Sequence, residues 1–127
     1  SYTVVLLLSP LLFQGSLNDE TNALDDVCTI LICHCPEVLD TSLADEKFDL
    51  VLSGHAHGGI WRLPFTDGLV DTNLNLLPSF TSGFYHCNDA GCEGAEVFVS
   101  RGLGNSPKWA VRLFNRPQIA VVTLKKG

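Results

Sequence analysis

A chain of 127 residues predicts one domain, or part of one, and at 46% hydrophobic and 17% charged it has the composition of a chain with a core rather than of a disordered one. The formal net charge of -6, with no basic stripe, argues against nucleic acid as the main partner.

The chain opens on a strongly apolar run, Tyr2 to Phe13, interrupted by Ser9-Pro10. The run is shorter than the roughly 20 residues a membrane helix needs, and no basic segment precedes it as in a signal peptide. It reads as a buried strand or the cut edge of a larger domain. Ser16 to Asp26 is polar and acidic, a loop or short helix feeding a strand at Val27 to Cys33. Pro36 suits the first turn of a helix, and Val38, Leu39, Leu43 and Phe48 form its apolar stripe. Glu37 and Asp40 sit near its start, where negative charge is favoured. Asp49 to Leu52 is the next strand, so strand, helix and strand form a β-α-β-like unit with functional loops at the strands' C-terminal ends.

Beyond it, Ile60 to Phe65 alternates loosely, and Thr66 to Ser79 reads as an irregular surface loop around Asp67-Gly68, Asn73, Asn75 and Pro78. Strands are expected at Ser82 to Cys87 and Glu96 to Arg101, separated by a turn over Asn88 to Gly94. Two more are expected at Trp109 to Phe114 and Gln118 to Leu124, with Arg116-Pro117 between them. The sequence holds no internal repeat, low-complexity tract or interdomain linker.

The chemistry concentrates where two apolar strands end in histidine. Thr29-Ile30-Leu31-Ile32-Cys33 runs into His34, and Asp49-Leu50-Val51-Leu52-Ser53-Gly54 runs into His55-Ala56-His57-Gly58-Gly59. Neutral imidazole is the commonest metal ligand near neutral pH, and the glycines let the backbone turn sharply beside a bound group. A single histidine is most often a satisfied polar side chain; three of them delivered to strand ends favour a metal. The spacing of His55 and His57 allows one shared metal or two neighbouring ones. Arg62 and Arg101 fall near these loops, where each is either a phosphate contact or a structural arginine; Arg112 and Arg116 read as structural. His86, Cys87 and Cys92 lack a second C-x-x-C-type half for a zinc site. Strand alternation would turn Cys33 and Cys35 away from His34's side and into the core, though either is also a ligand for a soft metal. Trp61 and Trp109 read as packing residues, and Asp49 as a strand-start residue. Five cysteines form no regular framework; they read as mostly reduced, hence intracellular.

Ile30-Leu31-Ile32-Cys33-His34-Cys35-Pro36-Glu37-Val38 and Asp49 to Gly59 together resemble the last two metal-binding motifs of the calcineurin-like metallophosphoesterases. Arg62-Leu63-Pro64-Phe65, Ser82-Gly83-Phe84-Tyr85, Val99 to Gly104 and Val111 to Pro117 continue the likeness in order. They are similar to the bacterial branch that includes the YkuE/YaeI-like phosphodiesterases. The resemblance covers residues 24 to 125, while 1–23 match poorly, so the chain is expected to be a single partial domain. The fold implied is α/β, the C-terminal half of a metallophosphoesterase-type β-sandwich flanked by helices and strand-rich after residue 80.

The resemblance implies a two-metal site for phosphodiester or pyrophosphate hydrolysis by metal-activated water, with His34 and His55 on one metal and His57 on the other. The family's first-half motifs, D-x-H, G-D-x-x-D and G-N-H-[DE], are not found in this sequence. Three neutral imidazoles leave two adjacent divalent ions unshielded from each other, so at most one ion should be held well here. The resemblance implies Mn, Fe, Zn or Ni as the metal, and no catalytic residue is assigned. The expected whole is a phosphoesterase of which this chain is an inactive half. The other expectation is a non-catalytic fragment or pseudoenzyme serving as a metal-binding or interaction module. The expected substrate is a small phosphoester or a lipid-linked one, the expected polypeptide partner the missing N-terminal half, and the expected place the cytoplasm, with peripheral membrane contact as a further expectation.

Overall fold

The computed structural model describes residues 2–6, 28–40, 48–86, 94–104 and 111–125. Among the described residues there are seven strands: β1 (Tyr2–Leu6), β2 (Cys28–Ile32), β3 (Leu50–Ser53), β4 (Trp61–Arg62), β5 (Gly68–Val70), β6 (Gly83–His86) and β7 (Glu96–Val99). A 3-10 turn spans Pro36–Asp40. Five strands form one sheet in the order β1-β2-β3-β7-β6, and β4 and β5 pair separately. The first four strands of the large sheet are parallel, and β6 runs antiparallel to β7. The described residues are thus strand-rich, with one mixed sheet and little helix, consistent with an α/β fold.

Near-continuous apolar runs are what a parallel strand covered on both faces needs. Leu31 on β2, Val51 on β3, and Val97 and Val99 on β7 are fully buried on one face. Cys33, Leu39 from the 3-10 turn, Phe48, Ala56 and Ala95 complete that core. Burial of each of these larger side chains is worth roughly 1.5–3 kcal/mol. On the opposite face Ile32, Leu52 and Phe98 are half-buried. Asp49 fixes the starting register of β2 and β3: its carboxylate accepts from the Thr29 backbone N–H (2.6 Å), and its own N–H donates to the Thr29 carbonyl (3.0 Å).

The expected strands at β2, β3, β6 and β7 form close to their sequence limits. The helical stripe is replaced at its start by the 3-10 turn, and its remainder, 41–47, lies outside the described residues, as do 7–13, 16–26, the turn at 88–93, Cys87 and Trp109. Thr66 to Ser79 is not wholly irregular, since β5 forms within it and pairs across a bulge with β4. The density of strand expected beyond residue 80 is corrected for the tail: 111–125 contains no strand. Leu113 makes a single bridge to Trp61, and Ile119 and Val121 are exposed. Proline cannot donate to a ladder, and Pro117 interrupts this segment midway. Trp61, expected as packing, is 46% exposed at the rim of its two-stranded pair.

Candidate metal centre

The parallel ladder between β2 and β3 continues past both strands and carries the histidines with it. Cys33 N–H donates to the Leu52 carbonyl (3.1 Å), and Gly54 N–H donates to the His34 carbonyl (3.2 Å). The Ser53 hydroxyl donates to the same carbonyl at 3.3 Å. His34 and His55 therefore leave the sheet side by side, at the C-terminal edge where open α/β sheets place ligands. His34 Nε2 lies 3.1 Å from His55 Nδ1, and the rings meet edge to face with centroids 4.9 Å apart. Two nitrogens bound to one tetrahedral zinc-like ion at 2.0–2.1 Å lie about 3.3 Å apart. The spacing fits one shared cation.

Cys35 joins them. Among the described residues, His34, Cys35 and His55 are the one group of at least three such donors whose ligand atoms all lie within 4.8 Å of one another. The expected burial of both cysteines holds for Cys33, whose thiol faces the Ser53 hydroxyl at 3.8 Å. It is corrected for Cys35. Regular alternation stops with β2 at Ile32, and the turn into Pro36 brings Cys35 to His34's side, half-buried. Burial pushes the thiols of both cysteines above their ordinary value; Ser53 opposes this at Cys33, and the negative charge of Glu37 adds to it at Cys35. Cys28, Cys33 and Cys35 are free thiols.

His55 pays a backbone cost to be here. Its φ is +61°, and the Ala56 N–H donates back to the Gly54 carbonyl at 2.7 Å, making a γ-turn of the rare positive-φ kind. Strain of this sort persists only where the surroundings over-determine it. Here they do so through the next residues. His57, Gly58 and Gly59 all have positive φ, and a Cβ on Gly59 would lie 2.4 Å from the Gly68 Cα. The loop and β5 thus touch backbone to backbone, which only two glycines permit. The other nitrogen of His55, Nε2, is 3.4 Å from the Thr72 hydroxyl. Such a partner on the far ring nitrogen fixes the tautomer of a metal-binding imidazole. Asp71 holds Thr72's turn by accepting from the backbone N–H groups of Asn73 and Asn75, both at 2.8 Å.

His57 stands outside the trio. Its Nδ1 is 3.0 Å from the Gly104 carbonyl and also 3.0 Å from Arg112 Nη2. Arg112 Nη2 has the Arg101 and Gly104 carbonyls as its acceptors, so His57 Nδ1–H can donate to Gly104 and leave Nε2 with a free lone pair. Burial holds His57 below the usual histidine range, against the Gly104 hydrogen bond; the charge of Arg112 and the proximity of His55 and His34 push the same way as burial. Burial, then the neighbouring Arg101, also lowers the Arg112 guanidinium. Asn115, 3% exposed, ties the loop to the tail by donating to the His57 carbonyl (2.6 Å) and the Ile60 carbonyl (3.3 Å).

The two expected arginines are placed differently. Arg62 donates to the Gly58 carbonyl (2.8 Å) and the Ser82 hydroxyl (3.0 Å), and pairs with Asp67 at 3.4 Å. Arg101 lies against the histidine loop, with its Cγ 2.9 Å from where a Gly58 Cβ would be. Its buried Nε has no hydrogen-bond partner among the described residues. A cavity of about 610 Å³ borders His34 on the half-covered face of the sheet, lined by Ile32, Leu52, Phe98 and Ile119 among others. His86, of the weaker zinc candidate, instead faces Glu96 at 2.7 Å on adjacent strands; Cys92 lies outside the described residues. Sequence reasoning missed Thr72, Gly104 and Asn115, which act only through chain segments folded back from 17, 47 and 58 residues away.

A histidine pair and a cysteine at the C-terminal edge of a parallel sheet form a group that could hold a cation, and the chain is similar to proteins named as metallophosphoesterases. It is 30% identical over 113 residues, 89% of its length, to the uncharacterized metallophosphoesterase YkuE of Bacillus subtilis (strain 168), covering 35% of that protein. It is 32% identical over 111 residues to an uncharacterized metallophosphoesterase of Aquifex aeolicus (strain VF5), covering 84% of this chain and 38% of that one. The uncharacterized protein YpbG of Bacillus subtilis (strain 168) is 31% identical over 96 residues, covering 75% of this chain and 30% of YpbG. The chain is related to the metallophosphoesterases, and it spans about a third of the length of the curated relatives it matches. No family model and no solved structure matches it. No helix among the described residues is long and apolar enough to cross a membrane.

Proposed function

We propose that the chain carries the histidine side of a metal-dependent phosphoesterase centre, as the C-terminal half of a calcineurin-like catalytic domain. The observation that carries this is the 3.1 Å approach of His34 Nε2 to His55 Nδ1, in a relative of metallophosphoesterases. His34 and His55 would hold one divalent cation, and His57 would offer Nε2 to a second ion once the domain is whole. When bound, such cations polarise a phosphoryl oxygen and acidify water. Arg101, against the loop and with its Nε unpartnered, is the better phosphate contact; Arg62 braces the loop by way of Gly58. The apolar cavity beside His34 supports a phosphodiester or pyrophosphate that carries an apolar group, lipid-linked substrates included.

The donor set explains why this chain alone should not turn over. No carboxylate joins the described His34–Cys35–His55 group, so no bridging carboxylate offsets the repulsion between two adjacent divalent ions. We expect the 127-residue chain with Mn²⁺ to leave bis-p-nitrophenyl phosphate intact. The full gene product should hydrolyse it and lose that activity in His34→Ala and in His55→Ala. Turnover by the chain alone, lost in His57→Ala, would overturn the division of labour. A folded, metal-loaded gene product without turnover would favour the other reading, a non-catalytic metal-binding or interaction module.

A further inference from the structure

The residue that follows His34 gives the centre a donor of a different kind. Cys35 brings its sulfur within 4.8 Å of a ring nitrogen of each of His34 and His55, and it is half-buried rather than sealed in the core. Its neighbour Cys33 already has a place there, against Ser53. The turn that redirects the chain is short and fixed, because Pro36 is fully buried and begins the 3-10 turn. Three donors of two types, a nitrogen pair at bonding separation and a sulfur beside it, are the ligand inventory of a mononuclear His₂Cys site.

We propose that Cys35 is a metal ligand, and that with His34 Nε2 and His55 Nδ1 it forms a three-donor, thiolate-containing site selective for zinc-like cations. The proposal rests on the metal-binding reading of the histidine pair, but not on phosphoester chemistry. On binding, the Cys35 S–H bond breaks, its proton leaves to solvent, and the electron pair left on sulfur forms the metal–sulfur bond. The thiolate brings a negative charge that neutral imidazoles do not. A soft sulfur donor favours zinc or cobalt over manganese, whose preferred partners are oxygens. Three protein donors leave a tetrahedral ion one open position for water or a phosphoryl oxygen, as in catalytic rather than structural zinc sites.

Cobalt(II) reads the sulfur directly, whatever the chain's activity. Titrated with Co²⁺ under reducing conditions, the wild-type chain should develop a near-ultraviolet sulfur-to-cobalt charge-transfer band together with visible bands of tetrahedral intensity. Cys35→Ser should lose the charge-transfer band and bind Zn²⁺ more than about tenfold more weakly, while its Mn²⁺ affinity changes little. Cys28→Ser, at the far end of β2, should keep the band. Circular dichroism on each variant establishes that it folds. No band in the folded wild-type chain, or a band that survives Cys35→Ser, overturns the assignment. Turnover by the full gene product with a sulfur-free cobalt spectrum would overturn the thiolate and leave the phosphoesterase reading standing.

Discussion

His34 Nε2 and His55 Nδ1 lie 3.1 Å apart although 21 residues separate them in sequence. The distance is set by a ladder rather than by the side chains: Gly54 N–H and the Ser53 hydroxyl both bind the His34 carbonyl, which carries the β2–β3 pairing to the rim. Ring placement therefore depends on backbone contacts that ordinary activity assays would never single out.

The Gly59–Gly68 contact is one of these. Gly59→Ala puts a Cβ 2.4 Å from the Gly68 Cα, at a residue with φ of +65°. Both the clash and the backbone strain oppose it, and we expect a loss of about 2–5 kcal/mol in urea-melt stability. Metal affinity should fall with it, because the loop carrying His55 must move.

Thr72 tests the outer contact with much less disturbance. Thr72→Val keeps the shape and removes the hydroxyl 3.4 Å from His55 Nε2. Metal affinity, read by calorimetric titration, should fall by about 10–100-fold with the melting temperature nearly unchanged. Thr72→Ser should restore it.

Asn115→Ala removes two donated hydrogen bonds to the carbonyls of His57 and Ile60 in a buried setting. The expected cost is about 1–3 kcal/mol. Its Oδ1 is buried without a partner, so removing that atom recovers part of the cost and places the result toward the low end.

The pH dependence follows from His57. The folded chain holds this group below its ordinary value of 6.5, chiefly by burial. As pH falls, the unfolded chain takes up that proton first, so the contribution to stability is complete above about 6.5 and is lost as pH drops through the lower folded value. Metal-free urea midpoints should decline on acidification across that window. His57→Asn, whose side chain tolerates positive φ, should show a shallower decline; an equally steep one would assign the effect to another group.

Much of this was legible in the chain. Ile30 to Cys33 and Leu50 to Ser53 are apolar runs that announce buried strands, and each ends at a histidine, so the positions of His34 and His55 could be read from pattern alone. The hairpin of β4 and β5 could not. Asp67-Gly68 signals a turn, while the reason Gly68 is glycine is the approach of Gly59, which no local window contains. The side on which Cys35 falls does not follow from strand alternation, because the period holds only while the ladder does, and β2 ends at Ile32. The apolar tail looked like two strands because Val111 to Leu113 and Ile119 to Val122 have the right composition. Composition alone does not form a ladder: among the described residues of this segment the Leu113 bridge to Trp61 is the pairing that forms, and Pro117 interrupts the segment midway.

The central claim is that His34 and His55 grip the same ion through Nε2 and Nδ1. Nitrogen-15 spectra of the histidine rings during Zn²⁺ titration test it atom by atom. We expect the His34 Nε2 and His55 Nδ1 resonances to shift together, complete at the first equivalent, with both shifts abolished by His34→Ala or by His55→Ala. Shifts at different equivalents, or a His55 Nδ1 shift that persists in His34→Ala at unchanged affinity, would contradict a shared ion.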